Sequence, residues 1–539
     1  MTRRAALVIL VLTAFLPVAI AAPRPRGGTD KLPLSGLAPS KLVPGLCVYK
    51  YRISTTSPEC QAFFDQGLGY AYSYVWLEAI RSFETALEHD PNCAMAWWGL
   101  YRAFEGRRQH EPATKALVKA NEFKDRASHR EQQLIWASMQ EKGQAPNVGD
   151  ADARRKKAIE TIDALLAQYD DDEEAWYFRA QLSGGAGGFG GQLSAVPFYK
   201  ALLHVNPLHP GANHELVHFY ENHRRPALGW PYAEKYIESS PGIPHAFHMQ
   251  AHLGTRIGKW NKTSDYSARA IVLEKAYHEY QGVKPAEDAQ YSHHLDTLLI
   301  SLTHDGRFAE ARGIIEHQRK LGSKDLPTWF RLYLADRDYA AALELAEQIR
   351  RRDKVTASYY SALVYLKQGD AARALPEIEV LRHAFANGAR DRQEYRMWEV
   401  QGLYLCQTGA GGEGLKLLER AANRSKNDYG HHAWGNGSYL MEQWGAGALQ
   451  SAHDREAEEA YLEALAHDPG SVRAALGLEV LCARQGRTEE AERYAELARK
   501  CWAKADSGKL QTELNALRGN SAAATKSEGE TGKSSGRRP

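Results

Sequence analysis

Small and aromatic residues recur in this chain about every 34 positions, and that spacing limits its possible folds more than any other feature. Gly67, Tyr70, Ala79, Phe83, Ala86 and Pro91 make one set, and a shift of about 34 residues carries the phase to Trp97, Ala113, Leu117 and Ala120. The small residues let two antiparallel helices approach, Tyr and Phe fill the gaps, and Pro ends the second helix. Apolar spacing elsewhere is 3.6-like, in runs broken by Gly, Asp-Pro or Asn-Pro, and strand-like alternation is essentially absent. Further pairs of runs are read at Tyr177–Leu182 with Phe198–Ala201, at Gly306–Ala311, at Gly369–Ala374, at Gly409–Leu415 and from Tyr461 to Tyr494. One helix cannot bury its apolar face alone, but stacked neighbours share a continuous core. The spacing predicts an all-α solenoid of about ten helical hairpins rather than several globular domains.

The ends of the chain read differently. Arg3 and Arg4, the apolar run Ala5–Leu16, Pro17 and Ala19-Ile20-Ala21 follow the order of a secretory signal peptide over residues 1–21. Export to the periplasm or medium is therefore expected, with no transmembrane segment after its removal. Residues 22–46 read as a linker, 47–518 as the solenoid, and 519–539, poor in large apolar residues, as a disordered tail. Lys+Arg 68 against Asp+Glu 66 leaves a formal charge of +2, which excludes a whole-protein basic surface for nucleic acid. The six cysteines contain no CxxC pair. Cys47 and Cys60 are candidates for a disulfide in an oxidising compartment, with the connectivity open.

Histidine placement is the main functional clue. Eight fall between His204 and His252, where 21 in 539 residues would predict about two. His214 and His218 are four apart, and adding 34 to each gives His248 and His252. Counted on the 34-residue tetratricopeptide repeat, both pairs occupy positions 5 and 9. His245 and His293 then fall at position 2, Asp296 at position 5 and Glu221 at position 12. Those offsets step by three or four, which is one stripe of a helix. The stripe lies on the first helix of each hairpin, expected to line the concave groove. His214, His218, Glu221, His245, His248, His252, His293 and Asp296 should therefore converge within the His-rich repeats, about residues 209–305. Such a set can ligate Zn²⁺ or Cu²⁺, hydrogen-bond its neighbours, or grip a peptide carboxylate. Without metal, groove-lining imidazoles should charge between about pH 5 and 8, whereas a loaded set should release its ion on acidification.

His214-Glu215-Leu216-Val217-His218 also matches HExxH, in which two His bind zinc and the Glu acts as general base. Glu215 sits one residue off the stripe, and no strand edge is readable to hold a peptide substrate, so it is only a weak candidate for catalysis. Gly185, Gly187 and Gly190 formally make a GxGxxG, but no strand precedes them and the stretch reads as a loop. His431-His432 lacks a phased partner. No nucleophile elbow, P-loop or kinase signature is present.

Two blocks carry a resemblance to a family. The first is Phe64-Asp65-Gln66-Gly67-Leu68, then Glu78-Ala79-Ile80-Arg81-Ser82-Phe83, then Asp90-Pro91-Asn92-Cys93-Ala94-Met95-Ala96-Trp97-Trp98-Gly99. The second is His209-Pro210-Gly211-Ala212-Asn213-His214 with His218, Pro244-His245-Ala246-Phe247-His248-Met249 with His252, and His293-His294-Leu295-Asp296. Over roughly Cys47 to Lys504 the chain resembles exported bacterial tetratricopeptide-repeat (TPR) proteins of uncharacterised activity with a His-rich central block. That resemblance implies a right-handed TPR-type superhelix and a functional patch, but no reaction. It departs from the group at Glu215-Leu216 and at Met249-Gln250-Ala251-His252, the first of which argues against an inherited catalytic Glu215. The resulting expectation is a non-enzymatic scaffold that holds a peptide or protein segment in its groove. The alternative is a Zn or Cu metalloprotein, or a metal-dependent hydrolase, using the same histidines.

Overall fold

Prolines and short polar side chains set where the helices begin. Pro58, Pro210, Pro244 and Pro327 occupy first turns, where a missing N–H costs nothing. Asp150, Asp288, Asp338, Asp353 and Asp370 accept from backbone N–H groups of the first turn, and Ser128 with Glu131 makes a reciprocal capping box. The computed structural model describes residues 31–147, 149–184, 192–324, 326–388, 394–426 and 438–519. Among them every regular element is helical, and successive helices from Pro58–Ala71 to Thr488–Cys501 pair into twelve antiparallel hairpins. A further helix over 509–519 follows. No helix among the described residues is long and apolar enough to cross a membrane.

The 34-residue period has a direct packing cause. The Phe83 ring lies against the backbones of Gly67 and Gly99, where a Cβ would approach it to 2.6 and 2.5 Å. Any larger residue would push the helices apart.

The core divides into two large apolar clusters, one from Leu46 to Ile243 and one from Ile271 to Leu517. A separate small cluster is built on Val217, Ala246, Met249 and Leu253. Each half closes on itself. In the first, Gly242 N donates to Leu46 O at 3.1 Å and Tyr236 Oη to Ser73 Oγ at 2.6 Å. In the second, Trp260 Nε1 donates to Asp468 at 3.0 Å and Trp502 Nε1 to His304 O at 2.8 Å. The solenoid is thus two closed turns that meet at the His-rich hairpins.

Two expectations change. Residues 31–46 are not a loose linker: Leu32 is buried, Ser40 N donates to Thr85, Val43 N to Gln66 and Lys41 N to Gln281. Glycine and proline there set an extended strap whose backbone is satisfied by buried side chains. All six cysteines are unpaired; Cys47 lies beside Ser240, while Cys60 groups with Cys93 and Asp90. The signal segment, residues 22–30, the Gly185–Gly190 loop, His431-His432 and residues 520–539 lie outside the described residues.

Candidate functional site

Three first helices of successive hairpins carry the histidines: Pro210–Asn222, Pro244–Arg256 and Ala289–His304. Their ligand atoms gather into two sets, His214, His218 and His245 in one and His248, His252 and His293 in the other. Within each set the nitrogens lie within 4.8 Å of one another. In the first, His245 Nε2 is 3.1 Å from His214 Nε2. In the second, His252 Nε2 is 2.7 Å from His248 Nε2. The sets adjoin, with ring centroids 5.5 Å apart for His245 and His248 and 6.3 Å for His218 and His252.

One imidazole of each set is oriented from behind. His214 Nδ1 lies 2.6 Å from the Tyr72 carbonyl, which can only accept, so Nδ1 carries the proton and Nε2 presents a lone pair. His252 Nδ1 lies 3.1 Å from Glu221 Oε2, with the same consequence for its Nε2. Arg256 Nε donates to the other Glu221 oxygen at 3.0 Å. Burial alone would raise the Glu221 carboxyl, but the His252 imidazole and the Arg256 guanidinium outweigh it and hold it well below the usual range.

Sequence reasoning placed these residues on one groove-lining stripe. The helices are the expected ones, but the patch is covered. His214, His218, His245, His248 and His252 are buried, and only His293 is exposed. The cover comes from the first hairpin. Tyr74, at φ 57°, stacks on His218 with centroids 5.8 Å apart and tilts over His214 at 4.5 Å. Gly211 permits this approach, since a Cβ there would meet the Tyr72 ring at 2.5 Å. Burial pushes His214 and His294 down to about 3 and His245 and His248 well below their ordinary value. Those four rings therefore stay neutral through the pH 5 to 8 window in which exposed imidazoles would charge.

The remaining candidates separate from the two sets. Glu221 braces His252 from the outer shell. Asp296 accepts from Thr328 Oγ1 at 2.7 Å at the edge of a groove. Glu215 Oε1 accepts from Tyr74 at 2.6 Å and from Tyr177 at 3.2 Å, which anchors the cover over the imidazoles. Sequence reasoning passed over His294, whose buried ring lies 4.2 Å from His248 and whose Nδ1 is 2.7 Å from Glu274. Its adjacency to His293 was the available signal. Tyr72 and Tyr74 gave none, being more than a hundred residues upstream.

His293 and Asp296 also line a cavity of about 660 Å³ enclosed by the second half of the chain. Five cationic side chains line it (Arg331, Arg337, Lys367, Arg396 and Arg473) against three carboxylates (Asp296, Glu442 and Glu513). Glu513 is already tied to Arg337 at 2.6 Å and Arg473 at 2.9 Å. Burial and the charge of Arg337 push Lys367 down to about 8. Arg331 lies 3.8 Å over the Tyr439 ring.

Residues 328–389 and 446–506, which form much of this groove, match the model of the tetratricopeptide repeat. Those two stretches are tetratricopeptide-like. Among solved structures, the crystal structure of the P58(IPK) TPR domain is similar at 11% identity, covering 82% of this chain and 99% of that one, with a TM-score of 0.23. No curated protein matches the chain. The repeat match and the helical architecture together make this an all-α helical repeat solenoid.

Proposed function

We propose that this protein is a binding scaffold whose groove receives an extended, carboxylate-bearing peptide or protein segment. The observation that carries the reading is the excess of cationic over acidic side chains around the tyrosine-rich cavity. Burial first, and the neighbouring Arg337 charge second, disfavour the charged form of Lys367, and a bound carboxylate offsets both. Rigid helices hold the donors in place, so the ligand gains contacts without refolding the receptor. The signal-like residues 1–21 support action outside the cytoplasm.

An array of acidic, neutral and basic decapeptides tests the ligand class. Acidic peptides should bind the full chain, and Lys367→Ala combined with Arg331→Ala should weaken them at least about tenfold, the cost of losing two charge-assisted contacts. Equal retention of basic and acidic peptides would overturn the reading.

A further inference from the structure

We propose that the histidine cluster is a two-ion centre. One divalent transition-metal ion such as Zn²⁺ is held by His214, His218 and His245, and a second by His248, His252 and His293. This is independent of what occupies the groove.

Geometry is the first support. Two imidazole nitrogens on one tetrahedral zinc, each about 2.0–2.1 Å from it, are about 3.3 Å apart. The His214–His245 and His248–His252 nitrogens stand at 3.1 and 2.7 Å, already near that separation. Each set supplies three imidazoles from two neighbouring helices, leaving coordination positions for water or a ligand. Imidazole donors suit zinc or copper and disfavour magnesium or calcium.

Orientation is the second. Tyr72 O and the Glu221 carboxylate fix the tautomers of His214 and His252 so that a lone pair points at the partner ring. Backing of this kind tunes metal-ligating histidines.

A metal-free account is available for the two close pairs, since neutral imidazoles can share an N–H···N bond. It gives no reason for a third ring to converge on each pair, nor for six such rings to adjoin. A solenoid core built for stability alone would place aliphatic residues here, because buried polar groups cost free energy unless satisfied.

Ions have a route of entry. His293 is exposed and lines the groove cavity, so the second set opens onto it, while Tyr74 covers the first.

The test uses untagged full-length protein, stripped with chelator, dialysed against Zn²⁺ and analysed for bound metal. Two zinc ions per chain are expected. His293→Ala, an exposed substitution that should leave the fold intact, should retain one. His218→Ala should also retain one, and the double variant none. Co²⁺ loaded instead should give the intense visible bands of a low-coordinate nitrogen site, reduced by about half in either single variant. Fewer than two ions in the parent, or two ions retained by folded His293→Ala, would overturn the proposal.

Discussion

At Gly211 two opposed effects meet, and their sizes decide the outcome of a substitution. Alanine in a helix is favoured over glycine by about 1 kcal/mol in an exposed interior, less in a first turn. Against that, the added Cβ would meet Tyr72 at 2.5 Å and Tyr177 at 2.7 Å, and both rings are buried. Neither ring can move without disturbing the cover over the histidines. Overpacking of this kind costs about 1–3 kcal/mol, so Gly211→Ala should lower the midpoint of denaturant unfolding despite its better helix propensity. An unchanged or raised midpoint would mean that Tyr72 and Tyr177 yield more easily than their burial implies. The same contact marks the limit of sequence reading at this scale. The 34-residue phase was enough to bring together His214, His218, His245, His248, His252 and His293, because a regular step repeats one helix face in adjacent layers. That His214, His218 and His245 are covered depends on Tyr72 and Tyr74, which no local pattern links to them.

Among the elements, the helix over 509–519 packs Leu510, Leu514 and Leu517 on the second apolar cluster and is tied down by charge. Glu513 joins Arg337 and Arg473, Lys509 reaches Asp336 at 2.5 Å, and Arg518 reaches Glu479 at 3.2 Å. Burial alone would raise the Glu513 carboxyl, but Arg473 and Arg337 outweigh it and hold it at about 2, below its ordinary 4.5. A depressed carboxyl stabilises the fold above the unfolded value and ceases to do so as pH falls through the folded one. Its contribution, up to about 3 kcal/mol, is therefore complete above about pH 5 and disappears between about pH 4.5 and 2. Amide protection factors across 509–519 should fall over that range, and Glu513→Gln should give low, pH-independent protection. Flat protection in the parent from pH 6 to 2.5 would refute this. The hairpins themselves were legible because Gly, Pro and Asp punctuate them, although the period gave about ten where twelve are formed among the described residues. Long helices such as Trp260–Gln281, of 22 residues, break the step. The strap at 31–46 was misread because its composition is that of a linker, while the buried partners that satisfy it lie as far away as Gln281.

For the molecule as a whole, ring closure replaces the open spiral that a strict repeat implies. The contacts that close each turn, Leu46 with Gly242 and Trp260 with Asp468, fall within one half, and so do the two apolar clusters. In a solenoid, cooperativity follows shared interfaces, and here the halves are joined by the strap, where Lys41 N donates to Gln281 and Tyr280 Oη to Leu42 O. Hydrogen exchange in rising urea should therefore reveal two cooperative units, divided between Ile243 and Ile271. The two proposed ions bear unequally on that division. The first set spans helices Pro210–Asn222 and Pro244–Arg256, whereas the second ties Pro244–Arg256 to Ala289–His304 in the other half. Free zinc at about a hundred times its dissociation constant adds about 2.7 kcal/mol to a site that only the folded form holds. Zinc should thus draw the two transitions together in the parent but leave them apart in His293→Ala, which keeps the first set alone. One transition in metal-free protein would mean that the strap contacts of Lys41 and Leu42 with Tyr280 and Gln281 couple the halves without any ion.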